Sequence, residues 1–569
     1  MKILGISELD NDAGACAFGD GRVLAAANEE RFSRIKQHAG FPFRAVEWIC
    51  ESTGLQPKDF DGIAIAKPRA EDEIRLVHSA LSDYDWASEN HSSRTEKFLT
   101  RAAFRFHRLP KHRRSVIRLN RELETWLQEN GLDEQCLYRV DHHRAHALSA
   151  FASSGIDPAL VVTCDGQGGG VTGTVWVGRG RELARMDTVS LPHSMGNFYA
   201  AATKALGFRP NRHEGKVTGL AAYAQAEEDV LEEVRRLCWY EDGSYKAPCI
   251  YGAYPRICRL LKRIGKESFA SAFQKVLEEV VTKWVGHHLG NTGFKKVALA
   301  GGVFANVKLN QRIAEIDGVE EIFVFPGMAD GGLGHGAALG WDMDCGQGEW
   351  IPGLNHVFWG SEPNENECRK LLEEARWNFD KPEDLASQVA ERLAEGKTVA
   401  VCRGPMEFGP RALGHRSILY QATDPSVNDW LNKRLMRTEF MPFAPITRKQ
   451  DIPSCYPNLS SPAAARFMTV TVDCSKQVTE SCPAVVHVDG TARPQVVDQV
   501  SEPFLHEVLS HYAGLTGLPC LINTSFNLHE EPIVCTPGDA LRAASVAHLD
   551  YLVLGPFLAS VPTPGKHSP

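Results

Sequence analysis

Much that would narrow the function is missing from this sequence. None of its 15 cysteines forms a C-x-x-C pair, so no cysteine is assigned a metal or redox role. Scattered through 569 residues, they read as free buried thiols, with Cys164, between Val-Val-Thr and Asp-Gly, as core packing. No stretch approaches the roughly 18 uninterrupted apolar residues of a membrane span. The apolar run in MKILGISELDND is shorter than a signal-peptide core and soon meets acids. A cytoplasmic protein without a membrane partner is expected. Strong charge is lacking too: a net charge of −9 argues against a general nucleic-acid binder. The composition is not that of a disordered chain, with 43% hydrophobic and 23% charged residues, and the length suggests two to four domains.

What is present begins with a repeat. The first thirty residues read as strand, turn, strand, glycine turn and strand, at 2–7, 13–18 and 23–27. The phrase returns near residue 159, with strands at 160–164, 171–177 and 183–189 and a glycine-rich turn at 165–170. Two copies about 150 residues apart suggest a duplicated core. Opposed Asp/Gly turns across a cleft are how actin-like ATPases hold phosphates. Residues 70–138 interrupt the first copy with a basic, aromatic-bearing helical stretch. Because the rest of the chain is acidic, this reads as a solvated insertion that lids the cleft or packs on a partner subunit. Gly, Pro and Trp crowd the segment 346–363, which places a domain boundary at 350–375, and the tail PTPGKHSP is expected to fray.

Four constellations carry chemistry. His142 and His146 stand at i, i+4 on one helix face, and Asp165 and Asp330 each head a glycine turn. A lone H-x-x-x-H is more often an accident, but two imidazoles and two carboxylates suit Fe(II), Mn(II) or Zn(II) with positions open for a phosphate oxygen. Gly301-Gly302 after a buried strand, and Gly331-Gly332 after Asp330, offer helix starts where backbone amides meet phosphate. Lys216, between glycines in EGKVTG, is a candidate point charge for phosphate. Arg411, Arg416, Arg437, Arg448 and Arg493 lie among Gly, Pro and apolar residues, unlike a solvated charge run, and suit an anionic ligand.

Together the strings EERFSRIK, HHRAH, DGQG, EGKVTGLAAYA, LAGGVFAN, FPGMADGGLGHGAALG, MEFGPRALGHRS, EFMPFAP, HVDGTARPQVV and NTSFN with EPIV span nearly the whole chain. In this order they resemble the carbamoyltransferases of the nodulation and antibiotic-tailoring type. The resemblance implies an α/β protein whose first part, 1–350, is a duplicated actin-like fold related to the tRNA threonylcarbamoyl-transfer enzyme. The second part, 375–569, would be an α/β YrdC-like domain similar to the one that makes threonylcarbamoyl-adenylate. It also implies two steps: carbamoyl phosphate yields carbamate, which Mg-ATP converts to carbamoyl-adenylate, and an acceptor hydroxyl or amine then takes the carbamoyl group. By position, the resemblance implies that His142, His146, Asp165 and Asp330 would bind the metal, Fe(II) with Mn or Zn as alternatives. Gly301, Gly302, Asn306 and Gly331 would line the nucleotide, with Lys36 and Lys216 near its phosphate. Arg411, Arg493, Asn523 and Ser525 would hold carbamoyl phosphate.

Three departures accompany the resemblance. Asn11-Asp12 stands where relatives carry His-Asp, so Asn11 cannot act as base and Asp12, or a water, must; His146 completes the catalytic group. Met441 replaces an arginine, for which Arg437 compensates, and Gly404-Pro405 replaces Gly-Arg. The implied partners are carbamoyl phosphate, ATP and a small-molecule acceptor such as a sugar or natural product, with a homodimer the one assembly entertained and no nucleic acid. The rivals are a threonylcarbamoyl-type transferase acting on tRNA, motivated by the basic helices, and an inactive adenylate-binding regulator, motivated by Asn11.

Overall fold

The computed structural model describes residues 1–8, 11–346, 353–437 and 440–562. Part of the expected linker, 350–352, and the tail from 563, expected to fray, lie outside the described residues. Two compact units emerge: Met1–Glu29 with His38–Leu354, and Glu30–Gln37 with Asn355–Pro569. Residues 30–37 thus leave the first domain in which the sequence places them. The cause is long-range hydrogen bonding: Arg34 donates to the carbonyls of Pro532 at 3.0 Å and Ile533 at 2.7 Å, and buried Arg31 to that of Gly409 at 2.7 Å.

In the N-terminal unit, β1 (Lys2–Ser7), β2 (Gly14–Gly19) and β3 (Arg22–Asn28) form an antiparallel meander, and β4 (Gly62–Ile65) and β5 (Leu137–Arg139) extend it in parallel, in the order β3-β2-β1-β4-β5. The second copy runs β6 (Ala159–Gly168), β7 (Val171–Arg179) and β8 (Glu182–Ser190), with a small separate hairpin of β9 (Trp239–Glu241) and β10 (Ser244–Lys246) further on. β11 (Lys296–Ala300) and β12 (Glu321–Val324) then add in parallel to β6, giving β8-β7-β6-β11-β12. Strand order and direction match one for one, so the repeat seen in the sequence is a duplication of topology. β1 is buried along nearly its whole length, as the central strand of a sheet covered on both faces should be. Gly5 lets the helix Leu333–Cys345 lie directly on it: a Cβ there would sit 1.9 Å from the Gly334 carbonyl oxygen. That contact fixes the start of the helix, just after Asp330.

The insertion after β4 holds the helices Ala70–Ser82, Arg94–Ala103 and Leu109–Glu129. Residues 104–108 form a π-helical turn between the last two. A Ser93–Glu96 capping box starts the middle helix. In the C-terminal unit an eight-stranded mixed sheet runs through Asn378–Asp380, Phe557–Ser560, Tyr551–Leu554, Val399–Cys402, Arg416–Gln421, Cys520–Ser525, Ala444–Arg448 and Gln495–Val497. Its core gathers Val399, Val401, Leu419, Leu521 and Val553 under the helices Leu385–Ala394 and Pro503–Thr516. All 15 cysteines are free, and Cys164 is buried. Among the described residues no helix is long and apolar enough to cross a membrane.

Candidate metal centre and anion pocket

The helix His142–Ser154 begins on Asp141, whose carboxylate accepts the Arg144 N–H at 2.9 Å. This cap sets the phase of the HHRAH turn. Arg144 points away, into a bidentate pair with Asp344 at 2.7 Å on both arms. His143 is consumed by the core: Nδ1 bonds the Thr163 hydroxyl at 2.7 Å and Nε2 the Val171 carbonyl at 3.0 Å. Burial draws its pKa down to about 3, so it stays neutral. His142 and His146, one turn apart, aim Nε2 at the same two carboxylates.

Asp165 arrives by an irregularity in β6. Pairing with β7 slips between Cys164 and Gly168, so the expected open turn at 165–170 is instead a bulged strand continuing to Gly168. One Asp165 oxygen accepts the Gly166 N–H at 2.6 Å, and the other stands 3.2 Å from His146 Nε2 and 3.6 Å from His142 Nε2. Gly168 leaves the room: a Cβ there would lie 2.2 Å from the His142 ring. Asp330 Oδ1 sits 3.6 Å from His146 Nε2 and 3.8 Å from His142 Nε2. Its loop is tied down by Ser7, which donates to the Asp330 carbonyl at 2.8 Å, and by Asn28, which donates to that of Gly331 at 3.2 Å.

The four donor atoms lie within 4.8 Å of one another. Donors around one ion at about 2.1 Å would stand roughly 3–3.5 Å apart, so the residues fit a divalent cation with little adjustment. The imidazoles are buried, whereas Asp165 and Asp330 keep 16% and 24% of their side-chain exposure, so the cluster opens on the carboxylate side. The electrostatics also ask for positive charge. Burial, and then the charge of Asp165, raises the Asp330 carboxyl. Burial opposes charge on His146, but hydrogen bonds to Asp165 and Asp330 outweigh it and push the imidazole up to about 9. The two imidazoles in turn overcome burial at Asp165 and hold it well below the usual carboxylate range. His142 Nε2 is buried with no hydrogen-bond partner, as expected of an atom reserved for a ligand.

Other residues singled out in the sequence fall in varied surroundings. Gly302 lies beside Asp165: a Cβ on it would be 3.1 Å from Oδ1. The Gly301 N–H is spent on the Met328 carbonyl at 2.7 Å. Asn306 caps the helix Val307–Ala314 and exchanges two hydrogen bonds with Gln274, at 2.8 and 3.1 Å, which engages its amide in the scaffold. Lys216 is buried in the helix Glu214–Ala221, with its ammonium 5.9 Å from the Phe208 ring centroid. Lys36 belongs to the segment grouped with the C-terminal unit.

In the C-terminal unit a buried amide network gathers three of the sequence strings. Asn523 donates to Gln495 Oε1 at 2.6 Å and to the Ala412 carbonyl at 3.3 Å, and Gln495 donates to that of Leu413 at 2.7 Å. The segments carrying Arg411, Arg493 and Asn523 are thereby joined, and Asn523 Oδ1 is left buried without a hydrogen-bond partner. Arg437 donates to the Ser525 and Thr524 end of the same strand at 2.7 and 3.2 Å. Two arginines grouped with these in the sequence have other work. Arg448 pairs with Asp451 at 2.7 Å. Arg416, fully buried, donates to the carbonyls of Ser361, Arg403, Gly404 and His415 at 2.9–3.3 Å.

Sequence reasoning missed Gln495, although HVDGTARPQVV contains it, because a glutamine carries no spacing signal. It also missed the buried Glu8–Lys67 pair at 3.0 Å, just past Ser7 at the end of β1. Burial pushes Glu8 up to about 7 against the pull of Lys67.

The family described as "Carbamoyltransferase N-terminus" matches residues 2–339, and that described as "Carbamoyltransferase C-terminus" matches 390–560. Nodulation protein NolNO of Sinorhizobium fredii is 32% identical over 568 residues, covering 96% of this chain and 78% of that protein. Nodulation protein U of the same organism is 32% identical over 592 residues, covering 96% of this chain and 98% of its own. An uncharacterized protein of Methanocaldococcus jannaschii is 30% identical over 576 residues, with 98% and 99% covered.

Proposed function

The chain belongs to the carbamoyltransferase family and is a transferase, and on that premise we propose that it uses ATP to activate a carbamoyl group and pass it to a small acceptor. Carbamoyl phosphate is hydrolysed to carbamate and phosphate. Carbamate then attacks the α-phosphorus of ATP, giving carbamoyl-adenylate and pyrophosphate. An acceptor hydroxyl attacks the carbamoyl carbon, the bond to the phosphate oxygen of AMP breaks, and the acceptor proton leaves to a base.

The observation that carries this reading is the cluster of His142, His146, Asp165 and Asp330, whose donors converge within 4.8 Å. A divalent cation such as Fe(II), held by those four, would supply Lewis-acid charge stabilisation beside the adenylate. Asp12, rather than Asn11, takes the proton, because an amide cannot act as a base near neutral pH. Arg411 and Arg493 face the phosphate of carbamoyl phosphate, with Ser525 beside them. The orphaned Asn523 Oδ1 accepts from the carbamoyl NH2, which would satisfy its buried lone pairs.

The test needs no acceptor. Purified protein, supplied with divalent metal, is incubated with ATP and carbamoyl phosphate. Phosphate and pyrophosphate are quantified, and carbamoyl-adenylate is sought by mass spectrometry. Pyrophosphate that appears only with both substrates is expected. Its absence under these conditions would sink the activation step.

A further inference from the structure

The basic insertion helix was left without a role by the reaction above, yet it borders a cavity. This cavity, of about 400 Å³, is lined by Arg114, Ile117, Arg118, Arg121, Glu122 and Thr125 of the helix Leu109–Glu129. The three arginines at i, i+4 and i+7 share one face. Glu122 accounts for one of them, accepting from Arg118 at 2.8 Å while its other oxygen accepts the Phe41 N–H at 2.9 Å. Arg114 spends only Nε, on the Pro110 carbonyl at 3.3 Å. Among the described residues no carboxylate pairs with Arg114 or Arg121. Two unmatched guanidinium forks in a concave site of a chain with net charge −9 are a local reversal of sign.

The groove connects to the metal cluster by contacts within one unit. A Cβ on Gly331, next to Asp330, would lie 3.4 Å from Asp12 Cβ. The next residue, Ala13, donates its N–H to the His38 carbonyl at 2.9 Å. Two residues on, a Cβ at Gly40 would lie 3.0 Å from Glu122 Oε2 and 3.9 Å from Arg118. The line of contacts therefore runs from the cluster, past the proposed base, to Glu122 and Arg118 on the helix that lines the groove.

We infer that this groove is the acceptor subsite and that the acceptor carries an anionic group, a phosphate or carboxylate, beside the hydroxyl it presents to Asp12; the inference rests on the transfer reading given above. Guanidinium forks match such oxygens bidentately, and Ile117 supplies an apolar wall for the rest of the molecule.

Full-length protein, with carbamoyl phosphate present to fill the C-terminal pocket, is titrated calorimetrically with glycerol 3-phosphate, glucose 6-phosphate and glucuronate. Each is compared with glycerol or glucose as its neutral parent. At least one anionic probe is expected to bind about tenfold or more tightly than its parent, and Arg114→Gln/Arg121→Gln should abolish that preference. Arg121→Glu serves as a second variant, with thermal melting to confirm folding. No preference in the wild type, or a preference intact in both variants, would overturn the inference. So would a low-salt tRNA shift that disappears in the variants with small-anion binding unaffected, which would assign the groove to nucleic acid. Pyrophosphate release is read separately: its failure with anion binding intact would remove the transfer reading and leave an anion site.

Discussion

Two charged regions of this chain balance their books in opposite ways. Around His142, His146, Asp165 and Asp330, the polar atoms point at one another and at an opening, and their interactions are not closed by the rest of the fold. Around Arg416, a fully buried guanidinium spends its two terminal nitrogens on four main-chain carbonyls, leaving Nε alone without a partner. Both are dense, polar and unlike a solvated surface, and both come from Gly- and His-bearing strings in the sequence. The difference is where the hydrogen bonds go. Donors consumed by carbonyls mark scaffold; donors and acceptors left converging mark a place for something else.

The sharpest way to break this contrast is to remove each centre. Arg416→Leu should destabilise the C-terminal unit by about 3 kcal/mol or more, since several buried carbonyls lose their partner. Urea denaturation and soluble yield would show it, and near-wild-type stability would mean Arg416 is not scaffold. His146→Ala should instead leave a folded protein whose carbamoyl transfer falls at least about 100-fold. Pyrophosphate release in that variant should largely survive, and loss of both activities would contradict the division of labour. Arg493→Ala should do the reverse, weakening the first step about 10- to 100-fold while transfer from supplied carbamoyl-adenylate persists.

The smallest expected effect is on pH dependence. Burial alone would lower the His415 pKa, but the hydrogen bond to Glu502 at 3.0 Å, with the charges of Glu502 and Glu407, raises it above its ordinary value of 6.5. A raised histidine stabilises the fold fully below about pH 6.5 and loses that contribution as pH climbs through the folded value. Melting temperature should therefore decline modestly above neutral pH, and Glu502→Gln should flatten the decline. An unchanged slope would show that His415 is not the source.

The sequence carried the duplicated core and the four-donor cluster well, because both rest on local patterns. An i, i+4 pair on a capped helix keeps its meaning wherever the chain folds, and the two aspartates were found although the turn expected at Asp165 became a bulged strand. The rest depended on contacts hundreds of residues apart. Nothing near residue 30 announces that Arg34 will bond Pro532 and Ile533. Arg416 and Arg411 look alike in the sequence, an arginine among Gly and apolar residues, and only the four carbonyls around Arg416 mark it as scaffold. Asn306, placed beside the nucleotide by the resemblance alone, caps the helix Val307–Ala314 in the structure, a role the sequence reading did not assign it. The bulge that presents Asp165 was hidden because a slip in strand register leaves no mark on a glycine-rich string.

The central claim is that the open cluster holds a divalent cation needed for transfer. Its most direct test is metal content by mass spectrometry for the wild type and for His142→Ala/His146→Ala, each purified anaerobically and desalted after incubation with Fe(II), Mn(II) or Zn(II). The account predicts close to one ion per wild-type chain and a clear loss in the variant. A wild type that retains none of the three, or a variant that retains as much, would contradict it.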